Sequence, residues 1–216
     1  MSNTLPINEL QNLITQRWPE ALYAGRINSG NSFLVSFAEL APLFPETGIP
    51  YGQLIEITGG VSSGKTTLLQ RLIAGLKPLP EGLYVDIGNG FFPPAFAAAG
   101  VDLARLLVVK PKSLVDGIRI AETLLHNETT DCIIFDLIGV RTTMPEVLLH
   151  RLRQQITKAR AIAFFLTENN TRIIPASMIS LQLTATRLDS RVIELVTTKS
   201  RISCEGARVR IACDRN

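Results

Sequence analysis

Apolar residues in the first part of the chain fall at helical spacing in one place. Ile7, Leu10, Leu13, Ile14 and Trp18 form a stripe that predicts a short amphipathic helix. Such a stripe packs on its own domain or docks on a neighbouring subunit. Residues 24–36 carry Gly, Asn and Ser and read as a loop or weak strand. From Tyr51 the pattern changes to short apolar runs alternating with helical segments. Residues 53–58 (QLIEIT), 82–87 (GLYVDI), 106–109, 132–136 (CIIFD) and 161–166 (AIAFFL) predict strands. Helices are predicted over 65–76 and around 94–99. A third starts at a Ser113 cap with Ile118, Ala121 and Leu125 on one face. A fourth opens on a capping-box pattern, Thr143 and Glu146, and turns Leu149, Leu152, Ile156 and Ala159 inward.

Strands that are apolar throughout belong to a parallel sheet with helices on both faces. After Ser177 helical spacing stops. Residues 178–186, 191–198 and 207–213 alternate polar and apolar positions and predict strands extending the sheet as antiparallel neighbours. The expected fold class is α/β: a mostly parallel sheet flanked by helices, with antiparallel C-terminal strands. Residues 1–46 form an N-terminal helix and connecting segment, an oligomerisation or docking element in this reading, and 47–216 form one domain.

Composition narrows the class. With 46% hydrophobic residues and a net charge of +3 over 216 residues, the chain has the material for a large core and is not disordered. Three cysteines, Cys132, Cys204 and Cys213, are too few and too far apart for a disulfide scaffold or zinc site, which points to a reducing cytoplasm. The opening MSNTLPINEL has no basic and apolar leader pattern, and no apolar run reaches the roughly 18 residues of a membrane span, so a cytoplasmic protein without membrane contact is expected. The small net charge hides an asymmetry. Residues 141–216 hold 13 of the 22 basic and 6 of the 19 acidic residues, a net +7, against a net −4 before them. A basic face there would suit a phosphate backbone or an acidic partner, with Lys199, Arg201, Arg208 and Arg210 as its cations; Arg151 and Lys158 read equally well as a solvated helix face.

The chemistry concentrates in Gly59-Gly60-Val61-Ser62-Ser63-Gly64-Lys65-Thr66, a complete G-x-x-x-x-G-K-[ST] phosphate-binding loop between a predicted strand and a predicted helix. Gly59 and Gly64 let the backbone curl its N–H groups toward one anion, and the following helix adds its positive end. Lys65 supplies a point charge for the β- and γ-phosphates and Thr66 a hydroxyl for Mg²⁺; Thr67 follows in the candidate binding set. A merely Gly-rich turn would explain neither Lys65 nor Thr66. Asp136, ending CIIFD, stands where a carboxylate holds the Mg²⁺ shell; the alternative is an Asp capping the next turn.

Around the loop, GIPYGQLIEITGGVSSGKTTLLQ resembles the corresponding stretch of bacterial RecA recombinases, and the resemblance continues through GLYVDIGNGFFPPAFAAAGVDLARLLVVKP, DCIIFD and TTKSRI. It covers about residues 47–210, is close only around the loop, and in its short length is similar to the ImuA group of RecA-like proteins of damage-induced mutagenesis. The resemblance implies a RecA-like core binding ATP and Mg²⁺. It places Lys199 and Arg201 where RecA has two lysines that reach a neighbour's γ-phosphate; two solvated cations on a surface strand are the alternative. It also exposes departures. The family's catalytic Glu falls at Gly88, its γ-phosphate-sensing Gln at Glu168, and its adenine-stacking Tyr at Ala95, with Phe92 and Phe96 as substitute platforms or core residues. Glu168 is the candidate catalytic residue, orienting water, or else it repels the phosphate. The two DNA-binding loops of RecA shrink to 139–143 and 169–175.

The expectation is an ATP-binding accessory factor in DNA repair, the SOS response and translesion mutagenesis, with weak or no hydrolysis. Its partners would be single-stranded DNA, RecA itself or an error-prone polymerase complex, in a homo-oligomer or hetero-assembly through the nucleotide interface. The alternatives are a DNA-dependent ATPase or recombinase on single-stranded DNA, and a protein-binding regulator of cell division similar to SulA.

Overall fold

Consecutive side chains of a strand point to opposite faces, so a strand that is apolar throughout needs cover on both. The chain supplies it. The structure, a computed structural model, describes residues 31–46, 48–169 and 171–212. Its strands are β1 Ser32–Val35, β2 Ile49–Pro50, β3 Leu54–Gly59, β4 Leu76–Lys77, β5 Gly82–Asp86, β6 Leu106–Val109, β7 Cys132–Asp136, β8 Ile162–Glu168, β9 Leu181–Arg187, β10 Val192–Ser200 and β11 Arg208–Ala212. Its α-helices are α1 Lys65–Gly75, α2 Pro93–Ala98, α3 Leu114–His126 and α4 Glu146–Lys158.

The main sheet runs β11-β10-β9-β3-β8-β7-β5-β6. On one face Ile55, Ile57, Tyr84, Ile134 and Phe164 pack under Leu68, Leu69 and Leu72 of α1 and Phe96 of α2. On the other, Leu83, Val85, Ile133, Phe135 and Phe165 pack under Ile118 and Leu125 of α3 and Leu149, Leu152 and Ile156 of α4. The α/β class and its helix-covered sheet are as expected. The C-terminal strands refine it: β9 lies parallel to β3, and in this eight-stranded sheet the antiparallel pairing is confined to β9-β10-β11.

Two local expectations change. Ser113 does cap α3, its Oγ accepting from the Asp116 amide at 3.1 Å. Thr143 does not cap α4, whose N-cap is Pro145 with ψ 128° and no side-chain bond. Proline biases the residue before it toward extended backbone, so the helix begins after Pro145 and leaves Thr143 outside. The helix expected over Ile7–Trp18 lies outside the described residues. Within the N-terminal segment, β1 pairs antiparallel with β2 and β4, and Phe33, Leu40, Leu43 and Phe44 join the α1-side core. Residues 31–46 are thus built into the domain.

Among the described residues no helix is long and apolar enough to cross a membrane.

Candidate functional site

The sheet order brings three strand ends together. β3 ends at Gly59, its neighbour β8 at Glu168 in register with Gly59, and β7 beyond it at Asp136. The carboxyl ends of parallel strands are where ligand crevices form.

From Gly59 the chain turns through Ser62 (φ 59°) and Gly64 (φ 92°) into α1. Both ends of the turn are hemmed in. A Cβ on Gly59 would lie 2.3 Å from Ser63 Oγ and 2.7 Å from the Ala185 carbonyl, and one on Gly64 would lie 2.0 Å from Ile193 Cδ1. Only glycine fits either place. The first turn of α1 has no acidic residue and no side-chain cap, so no side chain of the helix itself opposes its positive end. Lys65 is buried, and its Nζ donates to the Gly59 and Gly60 carbonyls at 3.2 and 3.0 Å. Burial holds its pKa below the ordinary lysine value, against the pull of Glu168 and Asp136. A cavity of about 670 Å³ opens over the loop, lined by Val61–Thr67, Arg71, Ile138, Glu168, Arg187 and Ser190. At its floor Ser63 Oγ is buried without a hydrogen-bond partner.

Asp136 is buried beside this cavity. Its Oδ2 accepts from the Tyr84 hydroxyl at 2.7 Å and its Oδ1 from the Ile138 amide at 3.2 Å. Burial raises its pKa above the ordinary carboxylate range, and the Tyr84 bond partly offsets this. Asp86, in register with it, is committed to the next turn, accepting from the Gly90 and Phe91 amides at 2.8 and 3.3 Å. Gly88 then passes so close to β7's exit that a Cβ there would meet the Ile138 carbonyl at 2.5 Å. Neither a carboxylate nor any other side chain fits that position without a backbone shift.

The structure therefore gathers Gly59, Gly60, Val61, Ser62, Ser63, Gly64, Lys65, Thr66, Thr67, Asp136 and Glu168. It does not bring Lys199 and Arg201 to them. β10 runs antiparallel to β9, so Ile193 lies at the loop while Lys199 pairs with Gln182, toward the start of β3. There Lys199 donates to the Ala176 carbonyl and Arg201 to the Ser177 carbonyl at 2.8 Å. Arg208 and Arg210 are not free cations either, since both pair with Glu194, at 3.8 and 3.1 Å. Phe96 is a core residue, packed edge-on to Tyr84, whereas Phe92 is 61% exposed. The residue after the first shortened loop joins the second, the Met144 amide donating to the Ile173 carbonyl at 2.8 Å, with both residues buried.

Arg187 was not legible as a site residue. Its Nε donates to the Ser62 carbonyl at 2.8 Å, and it lines the cavity. The only sequence signal is a cation just past the strand predicted over 178–186.

Comparison with known proteins agrees with this architecture. A family model described as the RecA N-terminal domain matches residues 39–173, well over half the chain and inclusive of the loop, Asp136 and Glu168. Protein RecA of Chloroflexus aggregans is 30% identical over 199 residues, covering 78% of this chain and 56% of that one. Protein RecA of Roseiflexus sp. is 29% identical with 78% and 55% covered, and that of Ruminococcus albus 35% identical over 101 residues, with 46% and 25% covered. The chain spans about half the length of the first two of these curated relatives.

Proposed function

This chain belongs to the family of the RecA N-terminal domain, and on that premise we propose that it is an ATP-binding accessory factor of DNA repair or recombination, a nucleotide-dependent switch with weak or no hydrolysis. The observation that carries the proposal is the pairing of an intact, glycine-locked loop with Gly88. The loop's ammonium, its Thr66 and Thr67 hydroxyls and the nearby Asp136 carboxylate suit a polyphosphate and a hard cation, whereas the Ile138 carbonyl fills the space a base at position 88 would need. The orphaned Ser63 hydroxyl and the uncapped helix end support the same ligand.

In this reading Lys65 holds the β- and γ-phosphates, and Thr66 and Asp136 hold Mg²⁺, which when bound neutralises phosphate charge. Lys199 and Arg201, far along the sheet from their own loop, serve a neighbouring subunit's nucleotide. The joined short loops limit DNA contact, so single-stranded DNA, a RecA recombinase or an error-prone polymerase complex is met through assembly rather than through long mobile loops. The translesion and damage-response assignment, close to the ImuA group, belongs to this proposal.

One observation favours a second reading, a DNA-dependent ATPase. Glu168 lines the cavity one strand from Asp136, where it would orient water. Nucleotide binding and phosphate release, each with and without single-stranded DNA, separate the two for wild type, Lys65→Ala and Glu168→Gln. The switch predicts binding that needs Lys65 and turnover near background. DNA-stimulated turnover that Glu168→Gln abolishes would establish the ATPase instead, and a wild type that binds no nucleotide would exclude both.

A further inference from the structure

We infer that Arg187 is a second phosphate-binding cation of the nucleotide site, contributed by the same subunit as the loop; this rests on the nucleotide reading above. The placement follows from register. β9 pairs with β3 as far as Gly59 opposite Ala185, so Arg187, two residues on, overhangs the end of β3 beside the loop. Leu183 and Ala185 point into the α1-side core, and strand alternation sends Arg187 to that same side, where the loop folds over.

Its hydrogen bonds fix the guanidinium there. Nε donates to the Ser62 carbonyl at 2.8 Å and Nη1 to the Ser190 carbonyl at 3.3 Å. A guanidinium has five N–H donors, so about three remain for the cavity. Its charge also lacks a direct ion-pair partner. Among the described residues Arg187 makes no ion pair, while Arg71, which lines the same cavity, pairs with Glu39 at 3.8 Å. The nearest acid in sequence, Asp189, accepts at Oδ1 from the Arg191 and Val192 amides at 2.6 and 2.9 Å. An unpaired, positioned guanidinium opposite a loop that already presents Lys65 suits the oxygens of a polyphosphate, which it would meet through charge-assisted bonds.

A purely mechanical role, tying Ser62 to the β9–β10 turn, makes a different prediction. Glutamine keeps a donor for the Ser62 carbonyl and loses the charge; lysine keeps the charge and loses the fork. Equilibrium binding of a fluorescent ATP analogue and of inorganic tripolyphosphate is measured for wild type, Lys65→Ala, Arg187→Gln and Arg187→Lys, at low and moderate salt, with melting midpoints alongside. The expected result is a loss of roughly tenfold or more for both probes in Arg187→Gln, a weaker salt dependence, and recovery of most of the affinity in Arg187→Lys. Wild-type affinity in Arg187→Gln, or equal losses in both variants, would overturn the assignment. Wild type binding neither probe would overturn the nucleotide reading itself, whereas binding that depends on Lys65 but not on Arg187 removes only Arg187.

Discussion

The Tyr84 hydroxyl donates to Oδ2 of Asp136 across 2.7 Å, joining β5 to β7 beside the cavity over the loop. Tyr84 is itself fixed, its ring packed against Phe91 and Phe96 at centroid distances of 4.9 and 5.4 Å. Burial drives the Asp136 carboxyl toward its neutral form and the Tyr84 bond draws it back. Tyr84→Phe is therefore expected to raise the Asp136 pKa further and to increase the Mg²⁺ concentration needed for nucleotide binding several-fold. A Mg²⁺ titration of nucleotide binding at pH 7 checks this; an unchanged requirement would separate Tyr84 from the metal site.

Asp136 also sets a pH dependence of stability. Its folded pKa lies above the unfolded carboxylate value, so the folded state holds the proton more tightly. Its contribution to stability is greatest in acid and is lost as pH rises from the unfolded value of about 3.9 through the raised folded one. Asp136→Asn removes that loss while keeping an acceptor for the Ile138 amide. The variant should melt higher than wild type at neutral pH, with the gap closing as pH falls. Melting curves across this range test it, and a gap that widens toward acid would contradict it.

Restoring the family's carboxylate at position 88 should fail. A Cβ there meets the Ile138 carbonyl at 2.5 Å, so Gly88→Glu must move backbone. The expected outcome is a destabilisation of about 1–3 kcal/mol and no gain in phosphate release. Gly88→Ala should share the stability loss. Stable, hydrolytically active Gly88→Glu protein would show that the missing base alone silences the site.

The two phenylalanines near the family's adenine platform should separate cleanly. Phe96→Ala opens a core cavity and should cost about 3–5 kcal/mol in denaturant unfolding. Phe92 is 61% exposed, so Phe92→Ala should leave stability nearly unchanged. If Phe92 stacks on the base, the variant loses affinity for ATP and keeps it for tripolyphosphate. Equal losses for both probes would rule out stacking.

The sequence showed most of what depends on local pattern. The loop, its flanking strand and helix, the Ser113 cap and the buried faces of α3 and α4 follow from period and spacing. What it could not show depends on which strands become neighbours. Arg187 is an ordinary strand-end cation until β9 is known to lie beside β3. Lys199 and Arg201 look like part of one basic patch with Arg208 and Arg210 until Glu194 proves to take the latter pair. Glu56 stands inside QLIEIT, a run read as apolar, and it is buried, with Thr167 and Gln182 donating to it at 2.8 and 2.7 Å from the strands on either side. The Thr143 cap failed because a proline two residues later outweighed a matching motif.

The β9–β10 hairpin meets the loop at one end, through Ala185, Arg187 and Ile193, and carries Lys199 with Arg201 just beyond the other. If those cations serve a neighbour, each subunit carries a socket and a plug at opposite ends of this hairpin. When each plug enters the socket of the next subunit head to tail, the contacts are heterologous and form rings or open rows. An open row has a direction and two chemically different tips, one bearing an unvisited loop and the other unspent cations. A subunit stripped of its plug could still cap such a row at one tip while stopping growth there.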